Sequence, residues 1–183
     1  MDRAWAERIR AGDEAAYESL FREYYVKLCT HANSILAAPD IAEEIVQDVF
    51  VKLWRNRGTW EVRTSVGAYL YTAVRNGALN HVHRRRTEER VYQEAARDAG
   101  ARRAMFAPSA AERMESEQIA DEVRRAIERL PARCRQVVIL RWQHQLKHAE
   151  IAEVLGISIK GVENHLARGM QALRKDLGAR LPT

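Results

Sequence analysis

Apolar residues return along this chain at spacings of three, four and seven, the mark of helices that bury one face. Tyr17, Leu20, Phe21, Tyr24, Leu28 and Ile35 share one such face. A shorter helix precedes them and breaks at Gly12-Asp13-Glu14, where Asp13 is placed to cap the second helix. Ala38-Pro39-Asp40 ends that helix. Pro39 suits the opening of the next, because its missing N–H would have no partner in a first turn. A third helix, about 41–57, turns Ile45, Val49 and Leu53 inward, with Phe50 able to face the same way. Glu43, Glu44, Gln47, Asp48 and Lys52 line its outside. Thr64 or Ser65 caps a fourth helix with Val66, Leu70, Val74 and Ala78 on its buried face, running out into Arg84-Arg85-Arg86.

After residue 86 the periodicity fades. Residues 87–118 are rich in Ala, Glu, Arg and Ser and contain Gly100 and Pro108, as expected of a flexible linker with room for some helix. Periodicity returns with Ile119, Val123, Ile127 and Leu130, and Pro131 opens a further helix carrying Val137, Val138, Leu140 and Leu146. Two short helices follow, about 147–155 and 159–177. The expected fold is all-α: two small helical domains, 1–86 and 119–183, joined by the linker 87–118.

Composition agrees with a helical globular chain. Aromatics are only 7% of the 183 residues and β-branched runs are scarce, whereas Ala, Leu, Glu, Arg and Gln dominate. The net charge of +5 is unevenly spread, and the distribution is what carries information. Residues 1–86 are +2, residues 87–130 are −2, and residues 131–183 are +5. A basic C-terminal module points to a polyanion. Cys29 and Cys134 lie far apart without metal-ligand spacing and read as small buried hydrophobes. The charged N-terminus has no signal-peptide core and no apolar run reaches membrane-spanning length, so a cytoplasmic chain is expected.

The segment KHAEIAEVLGISIKGVENHLARGMQALRK carries the strongest chemistry. Ile151, Ala152 and Leu155 make the apolar face of a short helix, and Gly156 suits a left-handed helix ending. Ile157 plugs the turn, Ser158 caps the next helix, and Val162 and Leu166 anchor it. These positions describe a helix-turn-helix. Its outward side chains are Lys160, Glu163, Asn164, His165 and Arg168, which can reach base edges or phosphates from a major groove.

This region, from LPARCRQ to ALRK, resembles the C-terminal domain of extracytoplasmic-function sigma factors, the small two-domain members of the sigma-70 family, which reads the −35 promoter element. GDEAAYESLFREYY, IAEEIVQDVFVKLWRN and SVGAYLYTAVRNGALNHVHRRR resemble the N-terminal domain in order and spacing. The resemblance implies that Ser158, Lys160, Glu163, Asn164, His165 and Arg168 serve −35 recognition. It places Glu44, Gln47, Asp48 and Phe50 on the helix that meets core RNA polymerase, at the beta-prime clamp, with the beta subunit also contacted. It makes the helix from Tyr69 to Arg86 the −10-reading and strand-opening element. There Tyr69 and Tyr71 can stack on bases, Asn76 and Asn80 can bond a base edge, and Arg75, Arg84, Arg85 and Arg86 can hold phosphates. The implied partners are core polymerase, promoter DNA and an anti-sigma factor, which can be membrane-bound. No cofactor and no metal is expected. The chain departs from the family at Gly161, where Thr is frequent, and at Glu163, where many members carry a basic residue.

Three rival readings explain less. A response regulator would place its helix-turn-helix behind an α/β receiver, and this chain's first half is helical. His144 and His148 stand four apart as metal ligands do, but no HExxH, nucleophile–base set or phosphate loop accompanies them, so an enzyme is not expected. A helical adaptor would explain the acidic helix but not the recognition helix.

Overall fold

The protein is described here from a computed structural model that covers residues 2–96 and 115–178. Eight α-helices make up the described chain: α1 (Asp2–Arg10), α2 (Glu14–Leu36), α3 (Pro39–Arg55), α4 (Val66–Ala96), α5 (Glu115–Arg129), α6 (Ala132–Trp142), α7 (His148–Leu155) and α8 (Ile159–Leu177). Local signals in the sequence set most of the boundaries. Asp13 caps α2 by accepting from Ala16 N at 3.0 Å, and Pro39 opens α3. Ser65, rather than Thr64, caps α4 by accepting from Ala68 N at 3.0 Å.

The room for helix expected in the linker is used at both ends. α4 continues to Ala96 and α5 begins at Glu115, so part of 87–118 is helical. The extension past the arginines lacks an apolar stripe. It is carried by good helix formers and by i,i+4 pairs of Arg84 with Glu88 and Arg85 with Glu89. Gly100 and Pro108 lie outside the described residues.

α2, α3 and α4 pack as a bundle with α1 across one end. Val46, Phe50 and Leu53 of α3 meet Leu20 and Leu28 of α2 and Val66, Leu70 and Val74 of α4, all at most 1% exposed. An aromatic block seals the α2–α3 seam: Phe21 lies 4.8 Å from Phe50, and Tyr17 lies 4.8 Å from Trp54. Gly77 lets α3 and α4 approach closely, since a Cβ there would sit 2.8 Å from Ile45 Cγ2.

In the second half, α5, α6 and α8 surround Ala126, Leu130, Cys134, Val138 and Leu173. Gly169 brings α8 against α6, with a Cβ position only 2.9 Å from Val138 Cγ2. The two halves touch along one seam. α7 packs on α4, and Val137, Leu140, Leu146, Ile151, Val154, Leu155 and Val162 join the core of the first half in one continuous cluster. No described helix is long and apolar enough to cross a membrane.

Candidate nucleic-acid interface

α7, a tight turn and α8 form the helix-turn-helix. α7 ends at Gly156 with φ 63°, a left-handed conformation that costs glycine little. Ile157 N donates to Ala152 O at 3.0 Å while its side chain packs half-buried on the core. Ser158 Oγ then accepts from Gly161 N at 3.0 Å, which caps α8. Val162, fully buried, fixes which face of α8 turns inward.

The opposite face carries Lys160, Glu163, Asn164 and Arg168, all exposed. Lys160 Nζ lies 3.1 Å from Glu163 Oε2. An exposed pair of this kind contributes less than about 1 kcal/mol, so either partner is free to exchange it for a base or a phosphate. The N-terminus of α8 points its unpaired N–H groups and positive dipole end the same way, which suits phosphate. His165 departs from this set. It is half-buried and turned towards α6, with Nδ1 3.8 Å from Cys134 Sγ. Ile159, 49% exposed at the first position of α8, is an apolar member of the face that the sequence did not single out.

α4 divides the residues expected at the −10 element between two sides. Tyr69, Asn76, Asn80 and Arg84 line a groove against α3, whose other wall includes Glu44 and Asp48. Tyr69 is half-buried against Trp60, with ring centroids 5.5 Å apart. Arg85 and Arg86, the next two residues after Arg84, are exposed. Tyr71 and Arg75 lie on the other side, towards the second half of the chain. Tyr71 is 1% exposed, and burial pushes its phenol pKa well up. Arg75 is half-buried; burial and, after it, the neighbouring Arg133 pull its pKa down. In this arrangement Tyr71 is closed to a nucleic acid, with α7 packed on α4, while Arg75 keeps part of its side chain in solvent.

α3 presents the acidic stripe. Glu44, Gln47 and Asp48 are exposed, and Asp48 carboxylate stands 4.0 Å from Lys52 Nζ in a solvent-exposed pair. Phe50 does not belong to that surface. It is 1% exposed, and Tyr17 Oη donates to its carbonyl at 3.0 Å. The apolar residue on the stripe is Val51, 45% exposed. Its spacing of seven, four and three from Glu44, Gln47 and Asp48 is legible in the sequence and puts all four on one line of the helix. His144 and His148 do not share a helix, because His144 sits in the turn between α6 and α7. Among the described residues no group of three or more His, Cys, Asp or Glu side chains is placed to hold a metal.

Comparison with known proteins follows the same division. A family model described as Sigma-70 region 2 matches residues 20–88, and one described as Sigma-70, region 4 matches residues 120–173. The chain is similar to the ECF RNA polymerase sigma factor SigW of Bacillus subtilis, with 23% identity over 176 residues and 93% of each chain covered. Its fold is similar to that of CnrH, solved in complex with the cytosolic domain of CnrY. The TM-score is 0.65 at 22% identity, covering 98% of this chain and 99% of that one. It is also similar to that of the sigma factor RpoE from Bartonella quintana, solved in complex with the anti-sigma factor NepR. There the TM-score is 0.61 at 20% identity, covering 90% and 98%.

Proposed function

This chain belongs to the sigma-70 family as an extracytoplasmic-function sigma factor, and from that premise we propose how its surfaces divide the work of promoter recognition and transcription initiation. α7 and α8 read the −35 element, with α8 in the major groove. The α4 wall of the α3–α4 groove, together with Arg84, Arg85 and Arg86, takes the −10 strand. The stripe Glu44, Gln47, Asp48 and Val51 docks on core RNA polymerase in the cytoplasm. An anti-sigma factor is the expected antagonist, as NepR is a partner of the solved relative RpoE. The chain supplies binding and orientation, and phosphodiester chemistry belongs to the polymerase.

The observation that carries this reading is the Ser158-capped α8, which holds Lys160, Glu163, Asn164 and Arg168 on one exposed face. Glu163 can accept from a cytosine amino group and Asn164 can bond an adenine edge. Ile159 can meet a thymine methyl group. Transcription from a genomic-fragment library, with core polymerase plus this protein, should give 5′ ends that share a two-part upstream element. Ends scattered without a shared element would overturn the reading.

The readers on α8 separate by a second measurement. Glu163→Ala and Asn164→Ala should each cost ~1–3 kcal/mol at the preferred site and relax one base pair of it. Lys160→Ala should weaken all sequences alike and flatten the salt dependence by about one unit. Binding-site selection at two salt concentrations checks both. An unchanged −35 sequence with Glu163→Ala and Asn164→Ala means that another face of α8 enters the groove.

A further inference from the structure

Where the two halves meet, the core is not wholly apolar. His31 of α2, Tyr71 of α4 and His144 of the α6–α7 turn form a three-ring cluster. His31 and Tyr71 centroids are 5.2 Å apart, His31 and His144 5.6 Å, and Tyr71 and His144 4.9 Å. His31 is 4% exposed and His144 half-buried. Among the described residues, neither ring nitrogen of either histidine finds a protein hydrogen-bond partner, nor does Tyr71 Oη or Arg75 Nε. The turn that carries His144 is fixed by its backbone. His144 N donates to Ile139 O at 3.2 Å, Leu146 N donates to Leu140 O at 3.0 Å, and Gln145 adopts φ 56°, the left-handed region. His144 is therefore held into the seam by α6 rather than lying there loosely.

We propose that His31 and His144 form a proton-sensitive latch that holds the two halves together when both rings are neutral and releases them when the rings gain protons. A charged imidazolium in this seam would be desolvated and unpaired, and its neighbours oppose it. From α2, Lys27 acts on His144; from α4, Arg75 acts on His31; from α6, Arg133 stands beyond Arg75. Each histidine also repels the other once charged. Of the carboxylates, Glu23 of α2 acts on Tyr71. On α7, Glu150 is bonded to Lys147 N, and Glu153 has a buried Oε2 without a hydrogen bond.

Burial, then His144 and Arg75, lower the His31 pKa to about 3; burial, then Lys27, lower that of His144 to about 4. Once the halves part, His144 faces water and returns to the ordinary value near 6.5, and His31 loses the His144 charge and the cover of the second half while Arg75 of its own half still opposes its proton. The closed form therefore has its full advantage above pH 6.5. His144 erodes that advantage about tenfold per pH unit below it, levelling off near its closed-form value. At pH 5 His144 contributes a roughly 30-fold shift towards the open form, and His31 adds to it in the same direction.

The consequence for promoters rests on the function proposed above. α8 packs on α7 and α7 on α4, two interhelix steps of ~8–10 Å each. Elements centred ~25 base pairs apart are separated by ~85 Å at 3.4 Å per base pair. The closed chain spans no such distance, and it covers Tyr71 and part of Arg75. The latch itself is read by conformation alone, so a wrong assignment of the DNA surfaces leaves its test intact.

The test follows the radius of gyration of the full chain by small-angle X-ray scattering from pH 7.5 to pH 5, with far-UV circular dichroism on the same samples. The wild type should be compact at pH 7.5 and expand by roughly a fifth or more at pH 5 with its helicity retained. His144→Phe and His144→Gln, which carry no titrating ring, should stay compact to markedly lower pH. His144→Lys should be expanded at pH 7.5. The proposal is overturned by a wild type already extended at pH 7.5, by one that stays compact at pH 5, or by loss of helicity together with compactness. Expansion of both neutral variants at the wild-type midpoint also overturns it.

Discussion

Phe50→Ala is expected to destabilise the folded chain by about 3–5 kcal/mol, lowering the melting temperature by about 10 °C. The side chain is 1% exposed and lies against Phe21 and Tyr17 where α2 meets α3. Removing the ring leaves a cavity that two long helices, pinned by the hydrogen bond from Tyr17 Oη to the Phe50 carbonyl, cannot easily collapse. Any loss of polymerase binding in this variant would then follow from loss of the folded form. Phe50→Leu separates the two effects. It should cost about 1–2 kcal/mol, because much of the volume is kept, and leave polymerase affinity per folded molecule unchanged. Thermal denaturation and a polymerase titration check this. A Phe50→Leu protein of near-native stability that no longer binds polymerase would return Phe50 to the contact surface.

The mirror-image result is expected for the acidic stripe. Glu44→Arg combined with Asp48→Arg should weaken binding to core polymerase at least ~30-fold, about 2 kcal/mol, while moving the melting temperature little. Both carboxylates are exposed, and the Asp48–Lys52 pair lost in the process is too solvated to matter much for folding. The cost in binding is larger because each reversal removes an attraction and puts a like charge against a complementary surface. The effect should shrink as salt is raised. Val51→Ser should also weaken binding, through apolar contact, and leave the salt dependence as it was. Titration of the variants against core polymerase at two ionic strengths decides the matter, and native affinity in the double reversal would remove this stripe from the interface.

Phe50 and Val51 show where sequence reasoning reaches its limit. Both are apolar neighbours, 100° apart on α3, and the acidic stripe runs beside them. The 3.6-residue period sets Phe50 beside inward Val49 and Leu53 and Val51 in line with the acidic residues, whereas the family resemblance put Phe50 on the polymerase-facing surface. The aromatic side chains of α2 decide it, since Tyr17 and Phe21 build a site that fits a ring. Tyr69 and Tyr71 pose the same problem on α4. Both can stack on a base, but only the position of α3 makes Tyr69 a groove residue, and only the position of α7 buries Tyr71.

What the sequence determined by itself is local or repetitive. Asp13, Pro39, Gly156 and Ser158 each satisfy or forgo hydrogen bonds within their own turn, so helix starts and stops were readable from single residues. The apolar stripes marked the buried faces and the all-α class, and the helix-turn-helix spacing marked the exposed face of α8 apart from His165 and Ile159. Tertiary structure alone decided which stripes meet. The sequence predicted two domains with a linker between them, because each half has enough apolar residues for its own core. The packing of α7 on α4 sets part of one core against the other and brings together His31 and His144, 113 positions apart. No local pattern encodes such a meeting. It arises from the shape and residual apolar area of surfaces left over once each half has folded, which only the assembled structure displays.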